Sequence, residues 1–171
     1  ALAAGIEEII FVTGRGKVAI EDFFDHSFEL RQVLGERGKD AELHAIDIPV
    51  LGPGRVAYTR QQDPMGLGHA VWCARELVGE EPFAIVLADD LVMADNPCLN
   101  QMVAVFNDKG GNVVAVEDVP REHTDRYGIL EVESDDGRLA AVTGMVEKPD
   151  PDDAPSTLSI IGRYILLPEV F

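Results

Sequence analysis

Gln61 stands ahead of Gly66 in the polar segment Arg60-Gln-Gln-Asp-Pro-Met-Gly-Leu-Gly-His-Ala70, which also carries Pro64 and Gly68. A carboxamide presents a donor side and an acceptor side, and that pair suits the edge of a pyrimidine base. Rotating freely, it would serve uracil or cytosine equally. A fixed backbone N–H at Gly66 would remove that freedom, and only glycine lets a base approach so closely. The plain alternative is a solvated amide in an ordinary strand-to-helix connection.

A second junction, Phe83-Ala-Ile-Val-Leu-Ala-Asp-Asp90, ends an apolar run on two carboxylates. Aspartates there commonly cap helices and form turns. A carboxylate fixed on a strand end can also hold Mg²⁺ through one oxygen while the metal binds ligand phosphates. Adjacent strand side chains diverge, so only one of the pair can face such a site. Glu147-Lys148-Pro149 follows a strand-like stretch ending Gly144-Met-Val146. An exposed ion pair on a turn is one reading. The other has Glu147 accepting hydrogen bonds from paired hydroxyls and Lys148 offering a point charge to a phosphate, together a receptor for a sugar phosphate. Gly128 and Gly162 lie inside strand-like runs, where a glycine marks a bulge, tight packing or the close approach of a sugar ring.

Other candidates are weaker. Thr13-Gly-Arg-Gly-Lys17 has Phe11 where a phosphate loop needs its first glycine and Val18 where it needs a hydroxyl, so it reads as a charged turn. His26, His44, His69 and His123 have no metal-ligand spacing, and His69 at a helix start reads as structural. No Ser-His-Asp or Cys-His arrangement stands out.

The elements that must position these residues follow from periodicity and punctuation. Ile6 to Val12 reads as a buried strand and Val56 to Thr59 as another; Lys17 to Phe24 and Phe28 to Arg37 read as helices, the second ending at Gly38. Leu43 to Gly54 gives no clear element, and Pro49, Gly52, Pro53 and Gly54 make its end a loop. A helix is expected over His69 to Val78 and a strand over Phe83 to Ala88. A further helix is expected over Cys98 to Asn107, with Asn96 as its cap and Pro97 at its first position. Asn112 to Val116 closes a β-α-β-α-β-α-β series whose strands should form a parallel sheet with right-handed crossovers. In such a sheet the Gln61 and Asp89 junctions share the edge where ligands collect. Tyr127 to Glu133 and Arg138 to Val142 flank Ser134-Asp-Asp-Gly137 as a hairpin, and Ser159 to Leu166 is a last strand. The 171 residues read as a single domain without repeats. Ala1 to Gly5 resembles the last turn of a helix capped by glycine, so the chain is expected to be part of a longer one.

With 46% hydrophobic and 6% aromatic residues the chain suits an aliphatic α/β interior. A net charge of −17 argues against general binding to nucleic acid or anionic membranes, yet allows a small phosphorylated ligand if cations are placed locally. Two cysteines make a poor disulfide framework, which points to a reducing cytoplasm. No apolar run approaches the length of a membrane span.

Six segments together resemble the bacterial UTP–glucose-1-phosphate uridylyltransferases of the sugar nucleotidyltransferase superfamily. They are Ala4 to Lys17, Arg60-Gln61 with Gly66-Leu-Gly-His-Ala70, Leu87 to Leu91, Arg126 to Gly128, Val146 to Pro149 and Ile161 to Tyr164. They run over almost the whole chain in the family's order. The resemblance implies a Rossmann-like α/β/α three-layer sandwich, the nucleotide-diphospho-sugar transferase fold, with a mostly parallel central sheet and an added β-hairpin region. It also implies Mg²⁺-dependent uridylyl transfer from UTP to glucose 1-phosphate, giving UDP-glucose. By position, Gln61 and Gly66 would contact uracil and Asp89 would hold the metal. Gly128, Glu147 and Gly162 would contact glucose, and Lys148 would meet the sugar's phosphate. The complete protein would be a homo-oligomer. The related thymidylyltransferases share the glutamine and the Glu-Lys-Pro segment, so thymidine is the nearest alternative to uridine, and a non-catalytic nucleotide-sugar-binding module is another. The family's glycine-rich N-terminal signature and its C-terminal part are not among these 171 residues, so this stretch by itself is expected to be inactive.

Overall fold

The protein is described here by a computed structural model covering residues 1–47 and 51–171. Pro49, in the loop expected before Gly54, lies outside the described residues. The chain divides into two compact units, residues 2–80 with Phe171 and residues 81–170 with Ala1.

In the N-terminal unit, β1 (Ile9–Thr13) and β2 (Val56–Arg60) form a parallel pair in the register Ile9↔Val56 through Thr13↔Arg60. The pairing is anchored by the facing rings of Phe11 and Tyr58, stacked at 5.4 Å, with Phe24 at 4.4 Å from Phe11. Offset aromatic contacts of this kind add to the area they bury. The Gln61 N–H donates to the Thr13 carbonyl at 2.9 Å, extending the ladder one residue past β2. That bond fixes the backbone from which the Gln61 side chain projects. Between the strands lie α1 (Val18–Phe23), α2 (Phe28–Glu36) and α3 (Asp40–Asp47). The third was not expected. Its acidic first turn complements the positive end of the helix, and Lys39 pairs with Glu42 across it at 2.9 Å.

The helix expected over 69–78 is two helices, α4 (Leu67–Trp72) and α5 (Arg75–Val78). The Cys73 carbonyl accepts the Thr59 hydroxyl at 3.3 Å, and the Ala74 N–H turns back to Val71 at 2.9 Å. A side chain competing for a carbonyl in the ladder breaks a helix at that point. Ala1 to Gly5 contains one 3₁₀ turn over Leu2–Ala4, and the Gly5 N–H donates to the Leu2 carbonyl at 3.0 Å.

The C-terminal unit holds β3 (Phe83–Val86), α6 (Cys98–Lys109), β4 (Val113–Asp118), β5 (Gly128–Asp135), β6 (Ala140–Glu147) and β7 (Leu158–Leu166). Its sheet corrects the expectation of a mostly parallel one. Every strand pairing in this five-stranded sheet is antiparallel, and parallel pairing among the described residues is confined to β1 and β2. The reason is where β7 goes. β3 and β4 run in the same direction, as a crossover through α6 requires. β7, however, pairs antiparallel with both of them, through Phe83↔Leu166 on one side and Val113↔Ile165 on the other. A strand arriving late in the chain thus separates two that the periodicity had joined. Leu99 and Met102 of α6 are buried with Ile129, Leu130 and Ile165 of the sheet. Pro97, not Asn96, is the residue flanking α6, at φ −52° and ψ 140°. No helix among the described residues is long and apolar enough to cross a membrane.

Candidate functional site

In the N-terminal unit, the loop after β2 turns into α4 at Gly66, whose φ of 97° is the left-handed backbone that favours glycine. No atom of the chain lies within 4 Å of the position a Gly66 Cβ would take, so the backbone angle and not crowding within the chain requires glycine there. The half-buried Gln61 reaches across this turn. Its Nε2 donates to the Gly66 carbonyl at 3.0 Å and lies 3.0 Å from Nδ1 of His69. The His69 ring in turn has its Nε2 3.8 Å from the Cys73 sulfur and stacks on Trp72 at 6.0 Å. Arg75 lies 3.7 Å over the other aromatic ring of the stack, that of Trp72, a cation–π contact. His69 read as a structural residue in the sequence. The signal that could have found its contact is its place three residues past Gly66, on the first turn of the helix that the glycine starts.

In the C-terminal unit, β6 joins the expected hairpin strand ending at Val142 to the strand-like stretch ending at Val146 and finishes at Glu147, directly opposite Gly128 of β5. A Cβ on Gly128 would come within 3.3 Å of Glu147 Oε2 and 3.2 Å of the Met145 sulfur, so the glycine leaves room for the carboxylate. Lys148 follows with φ 49°, the one non-glycine residue at positive φ among the described residues. Its N–H donates to the Tyr127 carbonyl at 2.9 Å, which holds the bend, while its Nζ lies 3.6 Å from Glu147 Oε1 with both side chains exposed. So open a pair does little for stability. The bend serves to present the two groups to solvent from a fixed backbone.

The two aspartates after β3 do diverge. Asp90 accepts the Gly162 N–H at 2.7 Å, and Arg163 donates to the carbonyls of Leu87 at 2.8 Å, Gly162 at 2.7 Å and Asp90. Asp90 and Arg163 therefore tie the turn to β7, and Asp89 is left exposed. Among the described residues no group of three or more His, Cys, Asp or Glu side chains gathers to hold a metal. A cation at Asp89 would draw its remaining ligands from phosphate oxygens and water, which is the usual manner of Mg²⁺, so this donor set fits that ion. Gly162 is buried, and a Cβ there would stand 2.7 Å from Leu87 Cβ.

Tyr164 connects these groups. Burial, then the carboxylates of Glu147 and Asp90, raise its phenol above the ordinary value. The unfolded phenol ionises near pH 10. The protonated phenol thus contributes stability that is fully present below that pH and is lost as pH rises through the folded value. Glu147→Gln should bring the Tyr164 titration to lower pH, read as the difference in phenolate absorbance between that variant and its Tyr164→Phe derivative. An unmoved titration would mean that Glu147 does not face Tyr164.

Comparison with known proteins gives three concordant results. The family model described as nucleotidyl transferase matches residues 2–171. A UTP–glucose-1-phosphate uridylyltransferase of Komagataeibacter xylinus is 50% identical over 98% of this chain and 59% of its own length, and that of Bacillus subtilis is 46% identical over 100% and 58%. A UTP-bound UGPase from Acinetobacter baumannii superposes with a TM-score of 0.89 at 41% identity, over 98% of this chain and 60% of that one. The chain therefore spans about three fifths of the length of the relatives it matches, 59% for the first of them.

Proposed function

The chain belongs to the nucleotidyl transferase family, and from that premise we propose that it serves uridylyl transfer from UTP to glucose 1-phosphate, yielding UDP-glucose and pyrophosphate. Relatives near half identity that carry the uridylyltransferase name favour uridine over thymidine. In the reaction a phosphate oxygen of glucose 1-phosphate attacks the α-phosphorus of UTP in line. The bond from that phosphorus to the bridging oxygen breaks, and pyrophosphate leaves. Such a displacement needs no protein nucleophile, since positioning and charge neutralisation supply most of the acceleration.

Each residue has a part in that positioning. Gln61 and the Gly66 N–H take the uracil edge. Glu147 accepts hydrogen bonds from glucose hydroxyls in the space that Gly128 leaves, and Gly162 keeps β7 against the turn that carries Asp89 while its backbone borders the sugar. Lys148 meets the sugar's phosphate. Asp89 would hold Mg²⁺, which when bound neutralises phosphate charge and orients the α-phosphoryl group. The two free cysteines fit a cytoplasmic setting.

The observation that carries the reading is the end of β6, where Glu147 faces a glycine and Lys148 is held at φ 49°. Non-glycine residues in that region cost free energy and persist where surrounding structure imposes them, often at functional sites. Calorimetric titration of the chain with UDP-glucose in the presence of Mg²⁺ tests it. Binding should be detected, and Asp89→Ala should abolish the increase in affinity that Mg²⁺ gives while leaving metal-free binding in place. Absence of UDP-glucose binding would overturn the reading, and an undiminished Mg²⁺ effect would remove Asp89 from it.

A further inference from the structure

The Gln61 amide is locked by two partners, and the identity of those partners decides which pyrimidine it can read. The Gly66 carbonyl can only accept, so the amide atom 3.0 Å from it is the nitrogen, Nε2. An amide nitrogen only donates, so Nδ1 of His69, 3.0 Å from the same nitrogen, must accept and carries no proton. The neutral ring then bears its proton on Nε2, the atom facing the Cys73 sulfur at 3.8 Å. Both N–H groups of Gln61 are thereby spent inside the chain. What remains for a ligand is Oε1, for which no donor is present among the described residues.

We infer that His69 is the specificity-positioning residue of the base site: by occupying the second N–H of Gln61 it makes the amide a pure acceptor, which selects bases with a protonated N3, uracil and its 5-methyl relative, against cytosine. This rests on the proposal that Gln61 meets the base. Uracil N3–H donates to Oε1. Cytosine N3 offers a lone pair to the same oxygen, and the amide cannot turn over without leaving the Gly66 carbonyl and Nδ1 both facing an oxygen. A site built to make a hydrogen bond rejects the analogue that leaves it unmade. Without the imidazole, a turned-over amide forfeits only its bond to the Gly66 carbonyl, so cytosine is rejected less strongly. His69 acts through Gln61 and touches no reacting atom.

The test is the ratio of dissociation constants for CTP and UTP, measured by calorimetry on the full chain and on His69→Phe, which keeps a ring beside Trp72 but removes the acceptor. The ratio should fall about tenfold in the variant, the worth of one neutral hydrogen bond. His69→Asn, which retains an acceptor near the Nδ1 position, should restore most of it. A loss of packing alone would weaken both nucleotides together and leave the ratio unchanged, which overturns the inference while the uridylyl reading stands. Failure of the unmodified chain to bind UTP at all overturns both. The nitrogen shifts of the imidazoles in the unmodified chain, recorded at alkaline pH, give a check that needs no variant to fold. His69 should carry its proton on Nε2, and a proton on Nδ1 would overturn the inference.

Discussion

Replacing Lys148 by alanine should weaken UDP-glucose binding by roughly ten- to a hundredfold, the range for loss of a charged hydrogen-bonding partner, and glycine at the same position should weaken it equally. The two variants should differ in stability. Lys148 lies at φ 49°, and alanine keeps the steric cost of that conformation whereas glycine does not. The glycine variant should therefore be the more stable of the two by about 1 kcal/mol, near 2–4 °C in Tm for a chain of this size. The exposed pair with Glu147 offsets little of this in either case. Calorimetry and thermal melts on both variants separate the role of the charge from the role of the backbone. Affinity retained in both would mean that the ammonium does not meet the ligand's phosphate, whatever the melts show.

Gly162→Ala should cost about 1–3 kcal/mol of stability, the usual penalty for forcing a methyl group into a packed interior. The added Cβ would stand 2.7 Å from Leu87 Cβ and 3.0 Å from its Cγ. Neither strand can easily give way. The Gly162 N–H is held by Asp90, and Arg163 clamps the carbonyls on both sides of the contact. Because the nearest atom is a Cβ, shortening Leu87 to alanine leaves the clash in place, and only Leu87→Gly relieves it. Urea denaturation of Gly162→Ala alone, with Leu87→Ala and with Leu87→Gly should show recovery in the last background only. A Gly162→Ala chain within about 0.5 kcal/mol of the parent, the ordinary scatter of surface changes, would contradict the close approach of β7 to the turn after β3.

Much of the local structure was legible in the sequence because it depends on near neighbours. Ile9-Ile10-Phe11-Val12 is apolar on successive residues and forms the core of β1, and Cys98 to Lys109 is a helix because its apolar stripe repeats at helical spacing and ends at Gly110. Gly137, at φ 87° after two aspartates whose carboxylates take the following N–H groups, makes the hairpin between β5 and β6. The errors share a cause. Where α4 stops depends on the Thr59 hydroxyl, fourteen residues away, and hydrophobic periodicity carries no signal of that competition. The direction of the larger sheet depends on where β7 inserts, a contact between residues more than forty positions apart.

The sequence by itself determined which groups are available: a carboxamide before a glycine turn, two carboxylates after an apolar strand, and an acid-base pair after another. Residue type sets hydrogen-bonding capacity and charge, and those do not change on folding. Tertiary structure alone decided how each group is spent. It turned Asp90 onto the Gly162 amide and left Asp89 exposed, carried β6 far enough to set Glu147 opposite Gly128, and brought His69 against the Gln61 amide. A group's capacity is a property of its own atoms, whereas its free valence is what remains after its neighbours have been served.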